Sequence, residues 1–252
     1  MVNSLTTNLI ASMRLLRGVV HLFQGMWTIT RYFPKASQQQ KSEHIAQWAK
    51  GLLAILRIDL HTTGAAQTTG PLLVVSNHIS WLDILVLLAV QPVRFVSKAE
   101  IKRWPVIGWL ATHAGTLYIE RESRRDALRV VHHIAQALCG EDPHGSIIAV
   151  FPEGTTSDGS TVLPFHANLI QAAISAHAPV QPVALRFEDA ASGERSFAAS
   201  YTDDDNLLTS VWRLMCAKPL RTVVNFGGPE IANGRDRRAW AIALREAVAR
   251  VL

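Results

Sequence analysis

The sequence is short of the residues that mark several common protein classes. Two cysteines, Cys139 and Cys216, occur in 252 residues. Both stand in apolar helical patterns, which excludes a disulfide framework and points to small core residues in a reducing compartment. No Gly-x-Ser-x-Gly elbow is present, so neither Ser80 nor Ser157 reads as the nucleophile of a serine hydrolase. The Walker loop and the dinucleotide glycine pattern are also missing. Asp203-Asp204-Asp205 lacks the spacing and closing glutamate of a calcium loop and reads as a helix N-cap cluster. His132 and His133 are adjacent, point different ways on a helix, and make no shared metal site; no metal is expected. No segment combines a short charged start, an apolar core and a small-residue cleavage site, so no signal peptide is expected. The formal charge of +5 favours anionic partners, but dense basic clusters and nucleic-acid motifs are absent, and no nucleic acid is expected among them.

What is present begins with composition. At 48% apolar and 18% charged residues the chain can bury one substantial core. Within it, Asn77-His78-Ile79-Ser80-Trp81-Leu82-Asp83 follows the apolar run Leu72-Leu73-Val74-Val75 and precedes an apolar helix from Trp81 to Val90. His78 therefore falls on a strand-to-helix turn, where α/β folds carry chemistry. A carboxylate bonded to one imidazole nitrogen fixes the tautomer and leaves the other nitrogen free as a base. A satisfied loop histidine has the same local sequence, so the pair needs further residues. They come at Phe151-Pro152-Glu153-Gly154-Thr155-Thr156-Ser157-Asp158-Gly159, after a second apolar run, Ile147 to Val150. Gly154 and Gly159 open backbone conformations closed to other residues, and the hydroxyls between them can donate to an anion or oxyanion. Gly115 to Arg121 supplies a third strand, ending in a cation, and Val180-Gln181-Pro182-Val183 opens a fourth.

The alternation predicts strands near 72–76, 93–97, 115–119, 146–151, 180–187 and 220–226. Helices are predicted near 81–90, 105–113, 124–139, 167–176, 207–216 and 239–252, with Ser123 and Asp126 as a capping pair for the third. The segment 193–205 reads as polar loop with at most one short strand. The fold class is α/β, a central mixed sheet covered by helices. Residues 1–60 form an N-terminal helical, membrane-associating segment, and residues 61–252 the catalytic domain. From Leu9 to Trp27, Arg14, Arg17, His21 and Gln24 recur at spacings of three and four, one narrow stripe on an otherwise apolar helix. This predicts an interfacial helix with its cations toward phosphates and Phe23 and Trp27 in the acyl boundary; the alternative is a helix packed on the domain with the stripe exposed. Two arginines argue against a span. A second helix is predicted over Ser42 to Leu60. The run Trp104 to Leu110 is either a core helix or part of an acyl-chain or membrane-contacting wall.

These four blocks in this order resemble the glycerolipid acyltransferases of the PlsC type, over roughly residues 70 to 190. The resemblance implies transfer of a fatty acyl group from a thioester, acyl-coenzyme A or acyl-carrier protein, to a lysolipid hydroxyl, with no cofactor beyond that co-substrate. It implies His78 as base and Asp83 as its partner, with Asn77, Ser80, Glu153, Gly154, Thr155 and Thr156 around the substrates and Arg121 on the acceptor's phosphate. Members that use 1-acylglycerol 3-phosphate commonly carry arginine where Thr156 stands and a lysine soon after Leu163-Pro164-Phe165, where this chain has His166-Ala167-Asn168. The acceptor is thus either 1-acylglycerol 3-phosphate or a lysolipid with another headgroup, such as lyso-ornithine lipid. Lys98 and Lys102 are further anion-contact candidates. A thioesterase on the same fold and an inactive lipid-binding membrane protein are the alternatives. The expected location is the cytoplasmic face of the inner membrane, as a monotopic protein.

Overall fold

The structure, a computed structural model, describes residues 4–119, 124–140, 146–202 and 205–252. Its strands are β1 (Ile58–Thr63), β2 (Leu72–Ser76), β3 (Arg94–Lys98), β4 (Leu117–Ile119), β5 (Ile147–Val150), β6 (Val180–Asp189) and β7 (Leu220–Phe226). Among the described residues they form one seven-stranded sheet in the order β1-β7-β6-β2-β5-β3-β4. The β6–β7 pair is antiparallel and the other neighbouring pairs are parallel, so the sheet is mixed. Parallel neighbours need crossover connections, and helices supply them. These are α3 (Leu82–Val90), α4 (Ile107–His113), α5 (Arg124–Leu138) and α6 (Ala167–Ser175).

Every residue of β2 and of β5 is buried, which is why both read as unbroken apolar runs rather than alternating ones. Their side chains still alternate between two cores. Leu72, Val74, Ile147 and Ala149 join a cluster with Leu53, Leu82 and Val86, supplied by α2 (Gln38–Ile55) and α3. Leu73, Val75, Ile148 and Val150 join Ile134, Ile170 and Trp240, supplied by α5, α6 and α8 (Arg237–Val251). With both faces covered, loops at the ends of the parallel strands are the free ground of the fold, and the second polar block and the His78 turn both lie at the carboxyl ends of β5 and β2.

The helix predicted over Ser42 to Leu60 is shifted and shortened. It starts after Ser37, whose side chain accepts from the Gln40 backbone while the Gln40 side chain accepts from the Ser37 backbone. It ends at Ile55, the chain turns at Arg57 with φ of 60°, and Ile58–Thr63 pairs with β7 as an edge strand. The alternation Ile58-Asp59-Leu60-His61 was the strand signal, overlooked beside the longer apolar helical pattern before it. Residue 60, the expected domain boundary, therefore falls inside β1, and α2 packs against α3. Cys139, expected in the core, is exposed just beyond α5, while Cys216 is half-buried. Among its described residues, segment 193–205 forms a single bridge, Arg195 to Glu188.

Helix α1 (Ser4–Tyr32) is long, as expected, with Phe23 and Trp27 exposed, but its polar stripe divides: Arg17 and Gln24 are exposed while Arg14 and His21 are half-buried. Ala11, Gly18, Gly25 and Ile29 are buried, and Arg14 and His21 turn inward with them. Arg14 Nη1 donates to the Met215 carbonyl oxygen at 2.7 Å, at the end of α7 (Leu207–Cys216). His21 Nε2 lies 2.8 Å from the Trp48 carbonyl oxygen and stacks on the Trp48 ring, whose Nε1 donates to the His21 carbonyl oxygen at 3.0 Å. The small residues permit this approach: a Cβ at Gly25 would stand 2.5 Å from Trp48 Nε1, and one at Gly51 would stand 2.7 Å from His21 Cε1. Leu9, Met13, Leu16, Val20, Phe23 and Trp27, at alternating spacings of four and three, are left exposed on the opposite side.

Candidate active site

The turn after β2 is organised by one carboxylate oxygen. Asp83 Oδ2 accepts from His78 Nδ1 at 2.8 Å, from the Ile79 backbone at 2.6 Å and from the Ser80 backbone at 2.9 Å. Asp83 is fully buried in the first turn of α3, where the helix N-terminus also favours its charge. A carboxylate facing Nδ1 makes that nitrogen the N–H donor, so Nε2 carries the lone pair. The ring is fixed from the side as well: Phe151 stacks on it with centroids 3.9 Å apart and planes 5° apart, and Phe95 stacks behind Phe151 at 5.7 Å. His78 itself keeps 18% side-chain exposure, enough for Nε2 to meet a substrate. The five-residue spacing thus yields a tautomer-fixed, oriented base.

The second block closes onto the first through backbone bonds. Ser157 N–H donates to the His78 carbonyl oxygen at 2.9 Å, and Tyr201 N–H to that of Ile79 at 3.0 Å. Gly154 adopts φ of 75°, and a Cβ there would stand 2.8 Å from His166 Cδ2, so the conformation and the His166 ring both require glycine. Gly159 likewise has φ of 75°, and a Cβ there would meet Ile79 Cδ1 at 2.7 Å. The two glycines let the loop lie flat against the histidine turn. Glu153 is buried at 4% exposure, and its Oε1 accepts from the Leu163 backbone at 3.1 Å. Burial, opposed by bonds from the Leu163 and His78 backbones, pushes its carboxyl up to about 7.

The predicted site residues thus divide. His78, Asp83, Ser80, Glu153 and Gly154 come together, with Thr155 exposed and Thr156 half-buried on the loop above them. Asn77 is buried and serves the sheet: its Nδ2 donates to the Leu185 carbonyl oxygen at 3.0 Å and its Oδ1 accepts from Leu185 N–H at 2.8 Å, extending the β2–β6 ladder past Ser76 by a side chain. Ser80 contributes its backbone N–H to Asp83, and its own hydroxyl is fully buried. Arg121 lies outside the described residues, as do Ser123, Asp203 and Asp204. Lys98 is exposed at the end of β3, and Lys102 Nζ sits 5.8 Å from the centre of the Tyr118 ring. Of the Trp104 to Leu110 run, Trp104 and Ile107 are exposed. Trp109 lines a cavity of about 590 Å³ with Ile29, Phe33, Lys41, Arg94 and His113, apart from the His78 turn.

Two participants were not foreseen. Phe151 was read only as the start of a motif, although an aromatic residue at a strand end beside an imidazole is a natural packing partner. Arg245, on α8, donates from Nε to the Val162 and Leu163 carbonyl oxygens at 2.9 and 3.2 Å and from Nη2 to Val162 at 2.7 Å, fixing the loop's return. Nothing in the sequence near the motifs announces a contact across 82 residues.

Comparison with known proteins bears directly on this arrangement. The family described as acyltransferase matches residues 57–186, a span that holds both loops and the strands beneath them. A 1-acyl-sn-glycerol-3-phosphate acyltransferase of Neisseria meningitidis is 38% identical over 216 residues, covering 85% of this chain and 82% of its own. The chain belongs to the acyltransferase family. Another relative in this acyltransferase family, a lyso-ornithine lipid O-acyltransferase of Pseudomonas aeruginosa, is 35% identical over 244 residues, 95% of this chain and 91% of its own. The crystal structure of the 1-acyl-sn-glycerophosphate acyltransferase PlsC from Thermotoga maritima superposes with a TM-score of 0.68 at 18% identity, covering 98% of this chain and 94% of that one. That likeness establishes the acyltransferase fold across nearly the whole chain, α1 included.

Proposed function

We propose that the protein transfers a fatty acyl group from a thioester, acyl-coenzyme A or acyl-carrier protein, to the hydroxyl of a lysolipid. The observation that carries this reading is the Asp83 bond to His78 Nδ1 at 2.8 Å, which leaves Nε2 as an oriented base beside a loop of hydroxyls. Nε2 takes the proton of the acceptor hydroxyl as its oxygen attacks the thioester carbonyl carbon. The tetrahedral oxyanion collapses, the C–S bond breaks, and the imidazolium returns its proton to the departing thiolate. A thiol leaving group with a pKa near ~8.5 needs little assistance, so the base acts chiefly on the attacking alcohol. No covalent enzyme intermediate and no cofactor enter the cycle.

The acceptor's headgroup meets a loop of unusual charge. Residues 151–166 contain no lysine or arginine. This favours an acceptor that is not a phosphomonoester, and the relative acting on lyso-ornithine lipid is the appropriate example; in this reading Arg121 is the remaining cation for an acidic headgroup. Thioester donor and lysolipid panel together test the proposal. Thiol release that depends on a lysolipid supports it, release without acceptor indicates a thioesterase, and no release with any donor overturns it in favour of a lipid-binding protein.

The protein works attached to the cytoplasmic face of the inner membrane, where thioester donors are available. The support is the outer face of α1: nine large apolar side chains from Leu9 to Trp27 stand in solvent, with exposed Arg17 and Arg31 on the same helix. Among the described residues no helix is long and apolar enough to cross a membrane, which favours a monotopic attachment. Phe23→Glu combined with Trp27→Glu should move the protein from the vesicle-bound to the free fraction in flotation assays with anionic vesicles. Unchanged flotation would overturn the assignment of this face.

A further inference from the structure

Two carboxyl groups are buried at the same place, Asp83 and Glu153, and the fold treats them differently. Asp83 receives three donors on Oδ2, one of them from an imidazole. Glu153 receives backbone donors from Leu163 and His78 and no side-chain donor among the bonds of the described residues. Each has one buried oxygen without a partner, Asp83 Oδ1 and Glu153 Oε2. Two anions buried this deeply, Asp83 at 0% and Glu153 at 4% exposure, repel each other and give up most of their hydration. The groups facing Glu153 do not cure this. Asp83 and His78 lie on the turn after β2, and His166 rests over the neighbouring Gly154. Arg245 approaches from α8, but its guanidinium is directed to the carbonyl oxygens of Val162 and Leu163. Protonation of one carboxyl would relieve that repulsion.

We infer that Glu153 works as a neutral carboxylic acid, holding on Oε2 the proton that lets a second carboxyl be buried beside the Asp83–His78 pair. It is a positioning residue: its Oε1 holds the 154–163 loop at Leu163, and its neutrality leaves Asp83 as the only anion bearing on His78. Burial first, and the nearby Asp83 carboxylate after it, raise its titration to about 7. Once the proton is lost the two carboxylates repel, the loop loosens from the histidine turn, and transfer slows. The kinetic form of this inference rests on the acyl-transfer reading; its spectroscopic form does not.

The test compares Glu153→Gln, an isosteric neutral side chain, with Glu153→Ala in the full-length protein. Lysolipid acylation by the unsubstituted protein should decline as pH rises through about 7. Glu153→Ala should lose roughly tenfold or more, and Glu153→Gln should restore most of that loss while abolishing the alkaline decline. An alkaline decline unchanged in Glu153→Gln, or a Gln variant as impaired as Ala while equally folded by circular dichroism, would overturn the inference. Difference infrared spectra, unsubstituted protein minus Glu153→Gln, provide a readout without turnover. A carboxylic acid C=O band present at pH 6 and lost by pH 8 supports the inference, and a carboxylate band at both pH values overturns it. If no lysolipid is acylated at all, the acyl-transfer reading fails while the infrared result still decides the state of Glu153.

Discussion

The two loops that meet at His78 solve the same problem, holding a carboxyl group out of water, in opposite ways. The β2–α3 turn surrounds Asp83 with donors: an imidazole N–H, two backbone N–H groups and the start of a helix. Such a site meets the acceptors of a carboxylate directly and ties the His78 ring to it. The β5–α6 loop surrounds Glu153 with far less and raises its titration to about 7. The difference arises from geometry more than from residue type. At the helix N-terminus successive backbone N–H groups converge on one point, whereas the loop with two positive-φ glycines spreads its N–H groups over separate acceptors, Gly154 to Phe151, Ser157 to His78 and Gly159 to the Ser157 hydroxyl. One loop supplies a charge, and the other supplies shape.

Substitutions can break that contrast, and their effects should differ in size. Asp83→Ala removes the acceptor of three donors and the tautomer lock, so it and His78→Ala should each lower kcat by about 10² to 10⁴ in lysolipid acylation. Near-normal turnover in both variants would remove the base assignment. Gly154→Ala comes next. The residue is held at φ of 75° with the His166 ring 2.8 Å from the new Cβ, so stability should fall by about 1 kcal/mol or more, seen as a lower denaturant midpoint.

Glu153→Gln should act on stability with a definite sign in pH. A carboxyl raised from 4.5 to about 7 on folding is protonated in the native state where the unfolded chain is already ionised. Stability therefore falls as pH rises through that window, and the penalty is complete above it. The Gln variant should show a flatter dependence of Tm between about pH 5 and about pH 8, and a higher Tm than the unsubstituted protein at the upper end, by roughly 2–4 °C for each kcal/mol relieved. The smallest effect is expected from Arg245→Met, which keeps the side-chain volume and loses the bonds to Val162 and Leu163. These bonds come from a charged guanidinium but hold the loop's return and not the reacting groups, so KM for the acceptor should rise a few-fold with little change in the infrared state of Glu153.

Much of this molecule was legible beforehand because the signals were local. Unbroken apolar runs at 72–75 and 147–150 identified the buried parallel strands, and the residues after them placed the chemistry at the strand ends. His78 and Asp83 lie within one turn, so their meeting was readable from spacing. What was not readable depends on distant partners. The bonds of Asn77 to Leu185 and of Arg245 to Val162 join segments brought together only by the completed sheet and its covering helices. The inward turn of half the polar stripe on α1 was hidden for a related reason. Arg14 and His21 find carbonyl partners on α7 and α2, and glycines beside them let the helices close.

The anchoring of α1 has a mechanical consequence. Because α1 is fastened at Met215 and at Trp48, two points on different parts of the body, it cannot swivel independently of the sheet. Whatever plane its outer side chains settle upon, the height and tilt of the imidazole above that plane are dictated by the protein's own rigidity. A substrate must therefore climb to a fixed altitude, and how far its tail reaches while its hydroxyl arrives there becomes a matter of ruler-like geometry.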